Sequence, residues 1–296
     1  MSPMLDPGVV CENAWAKINL ALHVTGKRDD GLHLLDSLVV FAKAADVVTV
    51  SKAGTTSLTI AGAHAAAIAG EPDNLVLKAA YALQESAALR GQEPGNAAIS
   101  LQKNLPVAAG IGGGSADAAA TLRALNQLWN LELTLQELEL IGAGLGADVA
   151  ACVGARACHM SGIGERVTAV TADRIPVFSM VLVNPGTGVL TADVFAALNK
   201  SDDAGLPALP EEASLPLWLA WLKETRNDLF EPAVTVCPDI LQVVGALEKS
   251  GALLARMSGS GATCFGLFEN GEQSSAAANT IAVAHPNWWV VTTETL

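Results

Sequence analysis

From residue 105 to residue 118 the chain reads Leu-Pro-Val-Ala-Ala-Gly-Ile-Gly-Gly-Gly-Ser-Ala-Asp-Ala. A strand-like run, Ala97 to Leu101, leads into it, and beyond it Ala118, Leu122, Leu125 and Trp129 recur at helical spacing. Gly110, Gly112, Gly113 and Gly114 therefore lie in a strand-to-helix connection, where the missing Cβ atoms let the backbone approach a ligand. The first amides of the following helix have no intrahelical partner and stand at the positive end of its dipole, which makes an anion site. Ser115 adds a hydroxyl for a phosphate or a magnesium ion. The spacing is neither GxGxxG nor GxxxxGK[ST]. Asp117 occupies the place of the last glycine of a GxSxG elbow, so Ser115 does not lie in a nucleophile elbow, and a hydrolase using Ser115 or Ser260 lacks a motif-placed histidine.

Upstream, Ala14 to Thr25 alternate: Ala16, Ile18, Leu20, Leu22 and Val24 share one face, and Lys17, Asn19 and His23 the other, which predicts a half-buried strand. Strand-like runs at 37–41, 46–51 and 57–61 predict an antiparallel meander. Residues 74–90 predict a helix with Asp73 as its N-cap. Downstream, Thr134 and Glu137 have capping-box spacing. Residues 199–216, rich in Asp, Pro and Glu, read as a surface loop. Helices near 217–224, 239–249 and 274–284 and strands at 253–257, 263–268 and 288–293 complete the chain. A second glycine-rich segment, Ser258-Gly-Ser-Gly-Ala262, read alone, is a tight turn.

The chain has 296 residues, 51% of them hydrophobic and 16% charged, enough apolar content for a two-domain α and β protein. Its net charge of −13 opposes a phosphate backbone, so nucleic acid is not an expected partner. The five cysteines include no CxxC pair, which suits reduced thiols. The first ten residues lack a basic and apolar leader pattern, and no run reaches the roughly 18 apolar residues of a membrane span. These features predict a cytoplasmic protein without a membrane partner; oligomeric state is not legible.

Taken together, Ala16-Lys-Ile-Asn-Leu20, the run from Leu105 to Ala118, and Met257-Ser-Gly-Ser-Gly-Ala262 resemble the GHMP kinase superfamily, named for its galactose, homoserine, mevalonate and phosphomevalonate members. The stretch Val24-Thr-Gly-Lys-Arg-Asp-Asp-Gly-Leu-His33, with Asp73-Asn-Leu75, Leu145-Gly-Ala-Asp148, Gly162-Ile-Gly-Glu165 and Arg226-Asn-Asp-Leu229, narrows the likeness to the branch acting in non-mevalonate isoprenoid synthesis. The resemblance implies an α+β fold of two domains, residues 1–163 with a ribosomal-protein-S5-like topology and residues 164–296 with a ferredoxin-like one, and an active site in the cleft between them. It implies ATP and nucleotide-borne magnesium; the histidines show no metal-ligand spacing, so no metal held by the protein is expected. The implied reaction phosphorylates the 2-hydroxyl of a cytidine-diphosphate-linked methylerythritol.

By the same resemblance, Pro106, Val107, Ala108, Ala109, Gly110, Ile111, Gly112, Gly113, Gly114, Ser115 and Ala116 wrap the triphosphate, and Asn74 and Leu75 lie near adenine. Lys17 and Asp148 are the implied catalytic pair: the carboxylate takes the hydroxyl proton, and the ammonium keeps it ionised and stabilises the transferring phosphoryl group. His33 and Phe195 are the implied cytosine site, with Asn19 and Thr191 near the rest of the substrate. Two residues depart from the family pattern: Leu32 stands where a tyrosine is expected to stack on the base, and Ala150 where a proline follows Gly-Ala-Asp-Val. Leu32 leaves open a kinase for another alcohol, and a nucleotide-binding protein without turnover is the alternative from another class.

Overall fold

The alternation at residues 14–25 does produce a strand, but a longer one than the pattern predicts. In the structure, a computed structural model that describes residues 8–70, 73–198 and 204–296, β1 runs over Val9–Lys27. From Ala16 to Val24 it is buried on both faces, so the half-buried reading is corrected: Lys17, Asn19 and His23 are polar side chains inside the protein. The predicted strands 37–41 and 46–51 are one, β2 (His33–Ala53). The alanines at 42, 44 and 45 signal a break by propensity, but ladders on both sides of them keep the backbone extended.

The chain forms two compact units. The first takes residues up to Ala16, then Ala45–Val107 and Gly112–Ala155; the second takes Lys17–Ala44, Ala108–Ile111 and Arg156–Leu296. In the first unit, Val47–Ala53 of β2 pair antiparallel with β4 (Asn96–Gln102), and β3 (Ser57–Ala61) pairs with β4 in parallel. A simple meander is therefore not what forms. Between β3 and β4 lies α1 (Leu75–Leu89), which buries Val76, Ala79, Ala80, Leu83 and Ala87. Its N-cap is Asn74, not Asp73: the Asn74 Oδ1 accepts the Val76 N–H at 2.9 Å, while Asp73 is exposed beside Lys78. Helix α2 (Gly113–Trp129) follows the glycine-rich loop and buries every residue from Ala116 to Leu122. This stretch is buried all round, and the alanines of α2 let α1 and α4 approach closely. The Thr134–Glu137 capping box opens α3 (Leu135–Leu145), and α4 (Ala147–Gly154) follows Gly146.

In the second unit, β5 (Cys158–Gly162) pairs with Leu35–Val39 of β2, and β6 (Arg166–Ala169) pairs with β5. The remaining strands form a four-stranded antiparallel sheet. They are β7 (Ser179–Asn184), β8 (Leu254–Met257), β9 (Cys264–Phe268) and β10 (Trp289–Glu294), in spatial order β10-β7-β9-β8. With helices between β7 and β8 and between β9 and β10, this is the ferredoxin-like arrangement. The helices between β7 and β8 are α5 (Thr191–Ala196), α6 (Leu215–Lys223), α7 (Phe230–Val236) and α8 (Asp239–Lys249); α9 (Gly271–Ala284) precedes β10. Ile240, Val243 and Leu247 of α8 and Ala277, Ala278 and Ile281 of α9 pack with Val181, Val183, Met257 and Phe268 in one core. Of the predicted surface loop 199–216, residues 199–203 lie outside the described residues, 204–214 carry no helix or strand, and α6 takes over from Leu215.

Candidate active site

In the first unit, Pro106 and Val107 enter the glycine-rich loop, and Gly112 closes it in the left-handed conformation, φ 63°, as the N-cap of α2. A glycine cap brings no side chain to the amides of the first turn. The N–H groups of Gly113, Gly114 and Ser115 are thus left for an anion. Ala116 departs from this pattern: it is buried and its N–H donates to Gly112 O at 2.8 Å. Asn74 and Leu75 belong to the same neighbourhood, since a Cβ on Gly114 would stand 3.8 Å from Leu75 Cδ1. Asp148 lies in the first turn of α4, at the positive end of its dipole. The Ala150 N–H donates to Gly146 O at 3.4 Å, a long bond, so the proline expected there would remove little.

In the second unit, the middle of the loop is bound to the Ser258–Ala262 turn. Ser258 Oγ donates to Gly110 O at 2.9 Å and accepts the Asn19 N–H at 3.1 Å; the Thr263 N–H donates to Ala109 O, and Val189 N–H to Ala108 O. The fit is close enough to require glycine: at φ 72°, a Cβ on Gly110 would lie 2.4 Å from Ser258 O and 2.6 Å from Gly261 N. The Lys17 N–H donates to Ile111 O at 2.9 Å, Asn19 Nδ2 to Ser37 Oγ at 2.8 Å, and the Thr191 and Ser260 hydroxyls are 2.9 Å apart. Three predicted site residues, Lys17, Asn19 and Thr191, thus gather on the two glycine-rich segments.

The His33 and Phe195 rings stack, centroids 5.1 Å apart and planes at 23°. They line a cleft of about 430 Å³ together with Lys27, Gly31, Leu32 and Leu35. Partial burial and, secondarily, the Lys27 charge hold the His33 imidazole below its ordinary pKa. It is therefore neutral at pH 7, with one ring nitrogen to donate and one to accept. Leu32 is 47% exposed in this cleft, where an aromatic ring is expected.

Sequence reasoning missed two groups. Asn227 Nδ2 donates to both Met257 O and Gly259 O at 2.8 Å, and its Oδ1 accepts the Leu229 N–H, so the Arg226–Leu229 motif builds the Ser258 turn. The second group is a buried ion cluster: Lys103 Nζ donates to Asp46 Oδ2 at 2.5 Å and to Asp117 Oδ2 at 2.6 Å. A signal existed for Lys103, because it continues the inward period of Ala97, Ile99 and Leu101. Among the described residues, no group of three or more His, Cys, Asp and Glu side chains could hold a metal ion, and no helix is long and apolar enough to cross a membrane.

Comparison with known proteins identifies the family. Residues 74–156 match the GHMP kinases N terminal domain and residues 208–286 the GHMP kinases C terminal domain. A 4-diphosphocytidyl-2-C-methyl-D-erythritol kinase of Ruegeria pomeroyi is 52% identical over 277 residues, 93% of this chain and 95% of the relative. One of Mesorhizobium japonicum is 47% identical over 98% of this chain and 97% of its own length. A crystal structure of 4-(cytidine 5'-diphospho)-2C-methyl-D-erythritol kinase superposes with a TM-score of 0.77 at 32% identity, covering 97% of this chain and 99% of that one. A homoserine kinase from Cytophaga hutchinsonii, at 17% identity and a TM-score of 0.67 over 100% of this chain and 96% of its own, shares the fold. The chain belongs to the GHMP kinases and, within them, to the 4-diphosphocytidyl-2-C-methyl-D-erythritol kinase family.

Proposed function

We propose that this ATP-dependent small-molecule kinase transfers the γ-phosphoryl group of ATP to the 2-hydroxyl of 4-diphosphocytidyl-2-C-methyl-D-erythritol, a step toward isoprenoid precursors in the non-mevalonate route. The observation that carries the reading is the locking of Ala108–Ile111 onto the Ser258–Ala262 turn, which gathers Lys17, Asn19 and Thr191 around a loop built for phosphate. On this reading Pro106 to Ala116 wrap the triphosphate. The amides of Gly113, Gly114 and Ser115 face it, and Ala116 contributes packing. Asn74 and Leu75 flank the adenine, and magnesium arrives on the nucleotide, with the Ser115 hydroxyl available to it.

Phosphoryl transfer asks the protein for position and charge more than for covalent chemistry. Asp148 accepts the proton of the acceptor hydroxyl as its oxygen bonds to the γ-phosphorus and the bond to ADP breaks, a role worth about 10² to 10⁴ in rate. Lys17 supplies positive charge to the phosphoryl oxygens as they pass between donor and acceptor. Asn19 and Thr191 orient the methylerythritol end. The His33–Phe195 pair holds the cytosine: the neutral imidazole meets its hydrogen-bonding edge, and Phe195 offers a stacking face worth about 1–3 kcal/mol. The reading includes a cytoplasmic location and a division of the chain into kinase domains at residues 163 and 164, a division by descent where the compact units divide it by packing.

Leu32 favours one second reading, a kinase of the same type acting on a different alcohol, because it leaves the cleft one aromatic face short. ADP release with magnesium–ATP and a panel of acceptors separates the two: the cytidine-diphosphate-linked alcohol, its uncytidylated 4-phosphate, homoserine and mevalonate. Turnover confined to the first supports the proposal. Faster turnover with another acceptor replaces it with the second reading, and nucleotide binding without any turnover removes both.

A further inference from the structure

The Lys103 cluster lies at the foot of the phosphate loop, and nothing in the proposed chemistry uses it. Lys103, Asp46 and Asp117 have side chains exposed by 2%, 0% and 3%. Each belongs to a different part of the loop's support. Asp46 comes from β2, and its Oδ1 accepts the N–H groups of Asn104 at 2.5 Å and Leu105 at 2.8 Å, the two residues before Pro106. Asp117 comes from α2, just past the glycines. Lys103 joins them through two ion pairs, and a Cβ on Gly113 would stand 3.2 Å from its ammonium and 3.9 Å from Pro106 O. The entry and exit of the loop are thus tied to one buried nitrogen.

Such a cluster is a poor stabiliser by itself. Two carboxylates share one ammonium, and Asp117 Oδ1 is buried with no hydrogen-bond partner. Buried ion pairs are often replaceable by apolar groups without loss of stability, so a role in geometry explains the arrangement better than a role in folding. We propose that the Asp46–Lys103–Asp117 bridge is a positioning device that fixes the span from Asn104 to Gly113, and with it the phosphate-binding amides at the start of α2, for nucleotide. The inference rests on the reading of this loop as the triphosphate site, and not on the identity of the acceptor.

The test is calorimetric binding of magnesium and a non-hydrolysable ATP analogue, without acceptor, to the full chain and to two variants, followed by steady-state kinetics. Asp117→Ala cuts the bridge to α2 and leaves a neutral Lys103–Asp46 pair; Asp117→Asn keeps an oxygen for the ammonium. The expected result is a Kd for the analogue raised about tenfold or more in the Ala variant and within about threefold of wild type in the Asn variant. The acceptor KM should stay unchanged in both. Undiminished binding by a folded Ala variant overturns the proposal, and so does an equal loss in the Asn variant, which the charge rather than the bridge would then explain. Parallel loss of nucleotide and acceptor also overturns it, because general loosening predicts that. Should the Ala variant fail to fold, the Asn variant's retained or lost affinity decides. A wild-type chain that binds no nucleotide sinks both the proposal and the reading beneath it; nucleotide binding without phosphorylation of the cytidylated alcohol sinks only the acceptor assignment.

Discussion

Replacing Gly110 by alanine should damage the protein, whereas the same change at Gly114, four residues away, should not. Gly110 has φ 72°, a region that costs an L-residue about 1–2 kcal/mol. Its new methyl would lie 2.4, 2.6 and 2.8 Å from Ser258 O, Gly261 N and Gly261 O. All three are backbone atoms, which cannot rotate away, and overpacking of this kind costs about 1–3 kcal/mol. The sum is a loss of about 2–5 kcal/mol. At Gly114, already in the first turn of α2, the nearest atom is Leu75 Cδ1 at 3.8 Å, an ordinary contact. Alanine is preferred there over glycine by up to about 1 kcal/mol. Urea unfolding followed by circular dichroism, with midpoint and slope fitted together, reads both changes. A Gly110→Ala variant within about 0.5 kcal/mol of wild type would refute the interlock of the two glycine-rich segments, as would a Gly114→Ala variant equally damaged.

Three further outcomes follow from named contacts. Burial, opposed by Lys103 and reinforced by Asp46, raises Asp117 to about 7. The folded chain therefore holds a proton that the unfolded chain releases near pH 4, and stability from this group falls as pH rises from about 4 through 7. Asp117→Asn should flatten that fall, by at most about 4 kcal/mol, in thermal melts across the window; an identical pH profile in the variant would contradict it. Arg256 donates to Leu20 O, Leu222 O, Thr225 O and Thr225 Oγ1 at 2.7–3.0 Å, and burial lowers its pKa to about 10, so it remains charged at neutral pH. Arg256→Met removes four hydrogen bonds to neutral acceptors, of which Leu222 O keeps the Thr225 N–H and hydroxyl, and should cost about 1–3 kcal/mol in chemical denaturation; an unchanged denaturation midpoint would mean water replaces the guanidinium. Leu32→Tyr adds the missing aromatic face, so the acceptor KM should fall about fivefold, near 1 kcal/mol of stacking, with kcat and the ATP KM unchanged; an unaltered acceptor KM removes Leu32 from the base site.

The features legible in the sequence are those written in local chemistry. Gly112 and the helical spacing of Ala118, Leu122 and Leu125 place the start of α2, because a left-handed cap and an apolar period are both properties of a few adjacent residues. The Thr134–Glu137 box is of the same kind. What escaped depends on the fold. β7, with Met180 to Val183 fully buried, is a short apolar run that periodicity cannot tell from a core helix. β2 continues through Lys43-Ala-Ala45 only because its neighbours pair with it on either side of that stretch. α7 carries Pro232 within its first turn, where proline is tolerated but gives no helix signal. In the site, the stacking of His33 on Phe195 and the meeting of Lys103 with Asp46, 57 residues away, are tertiary facts. The resemblance to a family assigned His33 and Phe195 to one base site but not their stacking on each other, and nothing brought Asp46 to Lys103.

The central claim is that Asp148 serves the acceptor hydroxyl in a kinase whose phosphate loop is already formed. The most direct measurement is kcat for phosphorylation of 4-diphosphocytidyl-2-C-methyl-D-erythritol by wild type and by Asp148→Asn, with nucleotide Kd measured alongside. The account predicts turnover in the wild type, a fall of about 10² to 10⁴ in kcat for the variant, and a nucleotide Kd that hardly moves. A variant that turns over at the wild-type rate, or one that loses its activity only because it no longer binds nucleotide, would contradict it.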